Sequence, residues 1–351
     1  IVLLTGRDKG KKREEKLEQI SSGKAQIIIG THALFSDDVS FANLGLITID
    51  EQHRFGVEQR VKLAQKSNLA NLLFMSATPI PRTLAMTVYG DMDLSIIDEL
   101  PPTKKAIDTR VMSKDKLPEL IDGIARKVAA GEKVYWVCPL IEESEALDVT
   151  PVLERYESLR HHFASGKVAF VHGKMKTCEK EAILEDFAND SGTVQILIST
   201  TVIEVGINVP AATIMVIEHA ERFGLAALHQ LRGRVGRGDK PATCILLYGG
   251  DLTGNTYERL NILRETQDGF KISEVDFKIR GMGEILGIKQ SGLPDFKFVE
   301  MQTHMPLFHI ASSQVKMILA TDEHLQSEQG LALRNLLYIF EKDVMLKFLQ
   351  T

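Results

Sequence analysis

Two adjacent carboxylic acids, Asp50 and Glu51, are the residues of this sequence whose type and position best fit catalysis. They follow the run Leu46–Ile49, whose apolar and β-branched residues are typical of a buried strand in a parallel sheet. Open parallel sheets bind their ligands at the carboxyl ends of the strands. An Asp at such an end can hold Mg²⁺ on a nucleotide, and the next Glu can polarise a water molecule. Taken alone, the two acids fit a strand that ends in a solvated acidic turn at least as well.

An arginine-rich segment, residues 229–238, is the second place where charge and spacing suggest chemistry; it reads HQLRGRVGRG. Arg234 and Arg237 are three residues apart, so on one helical turn they would point the same way. The glycines beside them would let a phosphate-bearing partner approach closely. Two fixed guanidinium groups can neutralise the charge that develops on a transferred phosphoryl group. A solvated basic helix end, or a patch that binds a phosphate backbone, explains this segment alone equally well.

Two further stretches offer polar groups without deciding what those groups do. Residues 198–210 read ISTTVIEVGINVP, in which a strand runs into hydroxyls, a glycine and then a turn. Such a turn can present N–H groups and hydroxyl oxygens to a phosphate or a ribose, but hydroxyls are also common there as helix caps. Residues 268–296 form a glycine-bearing connection in which Arg280 and Gln290 are available for polar contacts, although turn geometry explains most such connections.

The strands that would carry these groups fall into two sets, and helical connections between them predict two α/β units with parallel sheets. The first set is Ile1–Leu4, Gln26–Ile29, Leu46–Ile49 and Asn71–Met75, and the second is Val134–Val137, Val168–Val171, Gln195–Ile198, Thr213–Ile217 and Cys244–Leu247. Two prolines at residues 101–102 mark the linker between the units. We therefore expect domains at 1–101 and 102–250, followed by a smaller, mainly helical region at 251–351.

Composition narrows the class of protein without identifying it. The chain has 351 residues, 44% of them hydrophobic and 25% charged, which suits two or three globular domains. Its net charge of −5 gives no general attraction to nucleic acid, so any DNA contact must come from local basic patches. Three cysteines without CxxC or metal spacing predict reduced thiols in a cytoplasmic protein, and no apolar run has membrane-spanning length. Because the chain begins at Ile1 inside an apolar run, we expect it to be a fragment.

Together these motifs strongly resemble those of the superfamily 2 nucleic-acid motors, and within them the RecG family of branched-DNA helicases. The resemblance runs almost from end to end and rests on GTHAL at 30–34, DEQHRFG at 50–56, SATPIPRTLAMT at 76–87, VCPLIEES at 137–144, VHGKM at 171–175, the turn at 200–210 and HQLRGRVGRG at 229–238. Residues 269–296 are similar to the translocation motif that this family shares with the transcription-repair coupling translocases. Residues 50–53 read DEQH, with Gln52 where those translocases resemble a DEEH pattern, and this difference favours the RecG family. The sequence VCPLIEESE at 137–145 favours it too.

The resemblance implies tandem RecA-like domains, of which the first is incomplete here, and a role for each motif. Asp50 would organise Mg²⁺, Glu51 would activate the water that attacks ATP, and the two arginines would reach the γ-phosphate. The residues implied at the nucleotide are Asp50, Glu51, Gln52, His53, Gly206, Asn208, Gln230, Arg234 and Arg237. Those implied along the DNA path, or in coupling the nucleotide state to DNA movement, are Gly30, Thr31, His32, Ser76, Thr78, His172, Gly173, Thr200, Thr201, Arg280 and Gln290. Two positions depart from the family's pattern: Asn208 stands where an Asp is common, and Met282 interrupts a usual Gly-Pro-Gly.

The implied activity is that of an ATP-dependent DNA helicase that remodels stalled forks and four-way junctions in recombination and repair. Its cofactors would be ATP and Mg²⁺. Its partners would be branched DNA and, as a candidate, single-strand DNA-binding protein, with no membrane. The phosphate-binding run GxxxxGK[S/T] is absent, because residues 6–12 are one residue short of it and lack the Ser or Thr. We therefore expect the chain alone to lack robust ATP hydrolysis.

Other functions remain open at this point. The chain could be a short, non-catalytic module that binds DNA or a partner protein, or the motor fragment of a transcription-repair coupling translocase; another nucleotidase fits the order of the motifs poorly. An incomplete first domain also predicts open strand edges or uncovered apolar faces, and hence dimerisation or disorder near the N-terminus.

Overall fold

The computed structural model describes residues 1–51, 66, 70–76, 93, 95–97, 99, 105–139, 150–200, 209–250, 252, 254–280 and 301–340. The chain divides into two compact units, one made of Ile1–Pro79 and Glu99–Gly292 and the other of Ile80–Asp98 and Leu293–Thr351. The described strands are β1 (Val2–Leu4), β2 (Ile28–Gly30), β3 (Leu46–Ile49), β4 (Asn71–Phe74), β5 (Ile107–Ser113), β6 (Lys133–Val137), β7 (Val168–Val171), β8 (Ile196–Ser199), β9 (Ala212–Ile217) and β10 (Ala242–Tyr248). The described helices are α1 (Lys11–Ser21), α2 (Leu117–Ala129), α3 (Thr150–Arg160), α4 (Thr177–Ala188), α5 (Leu225–Arg232), α6 (Gly254–Glu265), α7 (Gly269–Arg280), α8 (Met301–Thr321) and α9 (Glu328–Ile339).

A six-stranded sheet forms the larger part of the first unit. Its order is β5-β10-β9-β6-β8-β7, and every pair of neighbours is parallel. Strands β6, β8 and β9 are buried at every position, which is the pattern of parallel strands covered on both faces. Trp136 packs with helices α2 and α3 on one face, and Tyr135 packs with helices α4 and α5 on the other. All five predicted strands of the second set are confirmed and lie in this one parallel sheet. The domain boundaries expected at residues 101 and 250 stay a prediction.

Two small parallel sheets lie in the N-terminal part of the same unit, where β1 pairs with β2 and β3 pairs with β4. Helix α1 covers one face of the first sheet, where Val2 and Leu4 are buried. On the opposite faces large apolar side chains are exposed: Leu3 by 55%, Leu46 by 60% and Leu73 by 48%. These are uncovered apolar faces of the expected kind, and the dimerisation or disorder expected from them stays a prediction.

The structure adds elements that the sequence did not reveal. Strand β5 lies at the edge of the six-stranded sheet, and its first four residues alternate buried and exposed, so it lacks the continuous apolar run of the central strands. Helix α7 occupies the first part of the stretch that the sequence indicated as a connection. Helix α1 begins at Lys11, after a turn in which the Asp8 carboxylate accepts a hydrogen bond from the Thr5 N–H at 2.8 Å.

Two predicted features lie outside the described residues: the linker prolines at 101–102 and residues 281–296 of the glycine-bearing connection. Among the helices that are described, none combines the length and the apolar character needed to cross a membrane. The three cysteines are free thiols; Cys138 and Cys244 are buried and Cys178 is exposed.

Candidate functional site

Strands β3 and β4 bring the two acids next to Ser76. Ile49 pairs with Phe74 in parallel register, so residues 50–51 and 75–76 leave the sheet together at its carboxyl edge. The Met75 N–H donates to the Ile49 carbonyl at 2.8 Å, which holds that register to the last residue of each strand. The prediction that the acids end a parallel strand is confirmed.

Glu51 adopts a backbone conformation that is uncommon for a residue with a side chain. Its φ is +51°, in the left-handed region, and the Asp50 Oδ1 accepts a hydrogen bond from the Glu51 N–H at 2.9 Å. Residues in such conformations cost free energy and cluster at functional sites. The turn leaves Asp50 exposed and Glu51 half-buried. The two carboxylates therefore have different surroundings, as two different roles require.

Asp50 fits a magnesium site in which a nucleotide supplies most of the ligands. Mg²⁺ commonly binds through one or two carboxylates together with substrate phosphates and waters. Within the described part of the chain, the Asp50 carboxylate accepts one hydrogen bond, at Oδ1. Its Oδ2 is therefore available to a metal. The described residues contain no group of three or more His, Cys, Asp and Glu side chains that could hold a metal ion by themselves. Bound there, Mg²⁺ would neutralise phosphate charge.

The segment after β2 presents two predicted DNA-path residues to solvent. Leu4 pairs with Gly30, so the chain leaves β1 and β2 at the same edge. A Cβ at Gly30 would lie 2.4 Å from the Leu4 carbonyl oxygen, so only glycine fits this close approach. Thr31 and His32 follow it and are both exposed. The structure thus places the three residues at a strand end, where a ligand can reach Thr31 and His32.

Strands β7 and β8 bring His172 and Thr200 side by side. Val171 pairs with Ser199 in parallel register, so the next residue of each strand lies at the carboxyl edge. Thr200 is 2% exposed, and neither its Oγ1 nor His172 Nδ1 has a hydrogen-bond partner in the part of the chain that is described. Burial, together with the charge of Lys174, lowers the pKa of His172 and favours its neutral form. Two adjacent polar groups without partners are unusual in a protein interior and indicate a place for a ligand.

The arginine segment differs from its prediction. Helix α5 ends at Arg232 with Gly233 as its cap, so Arg234 and Arg237 follow the helix and do not share a helical turn. Gly236 has a φ of +71°, and the Arg237 Nε donates to the Gly233 carbonyl at 3.2 Å, which closes the turn. The two glycines end the helix where the spacing alone suggested that it continued.

The charges of both arginines nevertheless affect the same residue of the sheet, Tyr135 on β6. Arg234 is half-buried, Arg237 is exposed, and Val235 between them is fully buried. Burial raises the pKa of Tyr135 on β6 to about 12, and the charges of Arg234 and Arg237 oppose that rise. Gln230 is half-buried one turn earlier, on α5. The charges of the two guanidinium groups therefore act on the same side chain of the sheet, and Gln230 lies in the last turn of the helix that precedes them.

A buried ion pair that the sequence analysis missed lies at the carboxyl end of β9. Glu218 is 5% exposed and accepts two hydrogen bonds from the Arg155 guanidinium of α3, the Nη2 bond measuring 2.9 Å. The Trp136 Nε1–H donates to the same carboxylate at 2.6 Å. Burial would raise the pKa of Glu218, but these bonds and the charge of Arg155 hold it below its usual value. An acid directly after the apolar run ATIMVI is the same signal that singled out Asp50.

Arg232 is a second buried charge that the sequence analysis did not single out. It is 2% exposed, and its Nη1 donates to the carbonyls of Leu263 at 2.6 Å and Thr266 at 2.9 Å. Its Nη2 lies 2.9 Å from His229 Nδ1, and because a guanidinium only donates, that ring nitrogen is the acceptor. Arg232 therefore faces the end of α6 and not solvent.

The remaining predicted site residues are only partly covered by the structure. Gly173 is exposed after β7, and Arg280 is the last residue of α7. Those that lie outside the described residues are Gln52, His53, Thr78, Thr201, Gly206, Asn208 and Gln290.

Comparison with known proteins gives matches along most of the chain. Three family models match: "DEAD/DEAH box helicase" over residues 2–87, "Helicase conserved C-terminal domain" over 113–239, and "ATP-dependent DNA helicase RecG, domain 3, C-terminal" over 266–345. A Streptococcus pneumoniae protein named ATP-dependent DNA helicase RecG is 49% identical over 312 residues, which are 89% of this chain and 46% of that protein. A Bacillus subtilis protein of the same name is 45% identical over 337 residues, 95% of this chain and 49% of the relative. The chain belongs to the RecG family. It spans less than half the length of these curated relatives.

A solved structure of a RecG protein supports the same assignment. It is described as RecG bound to a three-way DNA junction, is 42% identical, and matches with a TM-score of 0.64 over 88% of this chain and 39% of that one. With the six-stranded parallel sheet, this match confirms the predicted RecA-like α/β fold, followed by helices in the C-terminal region. In this chain the match to the helicase C-terminal domain ends at residue 239 and the match to RecG domain 3 begins at 266. The hydrogen bond from Arg232 to the Thr266 carbonyl therefore joins the two matched regions.

Proposed function

We propose that the protein to which this chain belongs is an ATP-dependent DNA helicase that remodels branched DNA. The observation that carries the proposal is the 42% identity, over 88% of the chain, to a RecG protein bound to a three-way DNA junction. The names of the relatives support the same activity. In this proposal the chain supplies part of a nucleotide site and part of a DNA path.

The nucleotide part of the proposal rests on two sets of residues. Asp50 would hold Mg²⁺ through its exposed carboxylate, and Glu51, half-buried in a fixed turn, would accept a proton from the attacking water. Arg234 and Arg237, with Gln230, would contact the phosphates and neutralise charge there. Gln52, His53, Gly206 and Asn208 are proposed at the same nucleotide from the resemblance of their motifs.

The DNA part of the proposal rests on the carboxyl ends of β7 and β8. A phosphate oxygen can accept from the Thr200 hydroxyl and from a ring N–H of His172, groups that the described chain leaves without partners. Phosphate contacts of this kind position DNA without reading its sequence. The other residues proposed along the DNA path are Gly30, Thr31, His32, Gly173 and Thr201. Those proposed to couple the nucleotide state to DNA movement are Ser76, Thr78, Arg280 and Gln290.

This chain contains no GxxxxGK[S/T] run, so we propose that by itself it hydrolyses little or no ATP. The test compares ATP hydrolysis by the 351-residue chain and by the full-length product of its gene, each with and without forked DNA. We expect hydrolysis only by the full-length product, stimulated by the fork. Glu51→Gln should lower the rate of that product by about a hundredfold or more, whereas Glu119→Gln, on the exposed face of α2, should leave it unchanged.

The outcomes of this test separate the candidate functions. Fork-dependent hydrolysis that resists Glu51→Gln would refute the assigned role of Glu51. No hydrolysis by either protein, with fork binding intact, would favour a non-catalytic DNA-binding module, a second candidate suggested by the missing phosphate-binding run. Competition between forks, four-way junctions and linear duplex would then test the preference for branched DNA.

Two further parts of the proposal concern partners and location. Single-strand DNA-binding protein is a candidate partner because it coats the single strands that forks expose. A cytoplasmic location agrees with three cysteines that form no disulfide.

A further inference from the structure

The arginine-rich segment contains a third arginine, Arg232, which is the last residue of helix α5 and has different surroundings from Arg234 and Arg237. Arg232 is 2% exposed, whereas Arg234 is half-buried and Arg237 is exposed. The bonds of its guanidinium go to two carbonyls at the end of α6 and to His229. No described carboxylate forms an ion pair with it. A phosphate could reach Arg232 only if these bonds broke.

The carbonyls that Arg232 binds belong to the C-terminal end of α6 and to the residue just after it. The last carbonyls of a helix have no partner within the helix and carry the negative end of its dipole. Arg232 satisfies two of them, Leu263 at 2.6 Å and Thr266 at 2.9 Å, and so supplies the positive charge that this end favours. Burial lowers the pKa of Arg232, but a guanidinium stays charged in proteins, so its buried N–H groups need acceptors such as these carbonyls.

The short connection that follows α6 is fixed from several sides. The Asp268 Oδ1 accepts from the Phe270 N–H at 2.9 Å and thereby caps the start of α7. The Gln267 Nε2 donates to the Ile107 carbonyl of β5 at 3.4 Å. Leucines of α5 and α6 share one buried cluster with Ile272 of α7. A displacement of Arg232 would therefore be passed to the first turn of α7.

We infer that Arg232 is a positioning residue that links the phosphate-contacting arginines to helix α7. This inference rests on the proposed function, because it takes Arg234 and Arg237 to contact the nucleotide. When those two arginines move toward or away from phosphate, the rigid end of α5 moves with them, and Arg232 carries that movement to the α6–α7 connection. Helix α7 ends at Arg280, so the movement reaches the stretch that the resemblance identifies as the translocation motif. Arg232 itself touches neither nucleotide nor DNA.

The test measures coupling separately from catalysis in the full-length product of the gene. Arg232→Gln removes the charge, Arg232→Lys keeps it but cannot bridge both carbonyls and His229, and Arg264→Gln is a matched control on the exposed side of α6. For Arg232→Gln we expect the base pairs unwound per ATP to fall about fivefold or more, a typical size for coupling between sites. The KM for ATP and the Kd for forked DNA should stay within about twofold of the parent values, and Arg264→Gln should change none of them.

A merely structural role would lower hydrolysis and unwinding in the same proportion, and that result, or an unchanged ratio with both rates intact, would overturn the inference. If the Gln variant does not fold, the Lys variant is judged by the same ratio. Hydrogen exchange on the unaltered full-length protein gives an independent test. A non-hydrolysable ATP analogue with forked DNA should change the protection of residues 229–237 and 266–272 together, and a change confined to the first range would also overturn the inference. Failure of the unaltered protein to hydrolyse ATP would refute the proposed function instead.

Discussion

The carboxyl edge of the six-stranded sheet and that of the β3–β4 sheet both end in acids, but they support those acids differently. Glu218, after β9, is buried and bound by Arg155 and Trp136. Asp50, after β3, is exposed and accepts one hydrogen bond, from the next residue, in the described part of the chain. The first edge is closed by its own side chains, whereas the second leaves its oxygens to a ligand. The same sequence signal thus marks a structural acid in one sheet and a candidate catalytic acid in the other.

The largest effect expected from this comparison is the cost of breaking the buried pair. Glu218→Gln leaves the Arg155 guanidinium buried without a countercharge, and we expect the free energy of unfolding to fall by about 3–5 kcal/mol. Urea unfolding of the 351-residue chain measures this. Glu157→Gln on the same helix as Arg155 is the matched control, since the Glu157–Arg160 pair is about half exposed and should contribute at most about 1 kcal/mol. Equal losses in the two variants would show that the first edge is not closed in the way described.

A second prediction compares the cores of the two sheets through one substitution. Leu197 on β8 is fully buried, and we expect Leu197→Ala to lower the free energy of unfolding by about 2–5 kcal/mol, because it leaves a cavity. Leu73 on β4 is 48% exposed, and Leu73→Ala should cost less than about 1 kcal/mol. The same unfolding curves measure both variants. A comparable loss for Leu73→Ala would mean that something covers the outer face of β4, as a dimer would, and sedimentation of that variant would check this.

The sequence predicted the parallel strands well because a continuous apolar run with a polar end depends only on neighbouring residues. It missed β5, whose edge position gives an alternating pattern, and it placed Arg234 and Arg237 on a helix that Gly233 ends. It did not identify the roles of Glu218 and Arg232, since their partners lie 63 and 31 residues away along the chain. The sequence singled out Asp50 and Glu51 as candidates because the residues next to them along the chain make the two acids conspicuous. A local sequence pattern cannot predict a contact between two residues that lie far apart along the chain.

A third prediction concerns Thr200, which lies at the same edge of the six-stranded sheet as Glu218 but has no hydrogen-bond partner for its hydroxyl in the described chain. Its hydroxyl is buried without a partner in the described chain, so Thr200→Val, which keeps the shape, should leave the free energy of unfolding unchanged or slightly raised. If the hydroxyl donates to a DNA phosphate, the same variant should weaken binding of forked DNA by about fivefold. Fluorescence anisotropy of the full-length product measures the affinity. Loss of stability with unchanged affinity would instead give Thr200 a structural role.

The smallest predicted effect is at Asp8, in the turn after β1, and it concerns the response of the open region to acid. The hydrogen bond from Lys16, followed by that from the Thr5 N–H, lowers the pKa of Asp8 to about 2 from the ordinary 3.8. Because the folded pKa is the lower one, the carboxylate contributes stability above pH 3.8 and loses that contribution as the pH falls toward 2. Carboxyl NMR of Asp8 should show an inflection near pH 2, which Lys16→Met should move upward. Asp8→Asn should lower the protection of the β1–β2 amides against hydrogen exchange at neutral pH, and it should make that protection depend less on acid. The amides of the six-stranded sheet should exchange as before. An equal response in both sheets would mean that they unfold as one cooperative unit. The edge that carries Glu218 and the edge that carries Asp50 would then differ in access to ligands and not in stability.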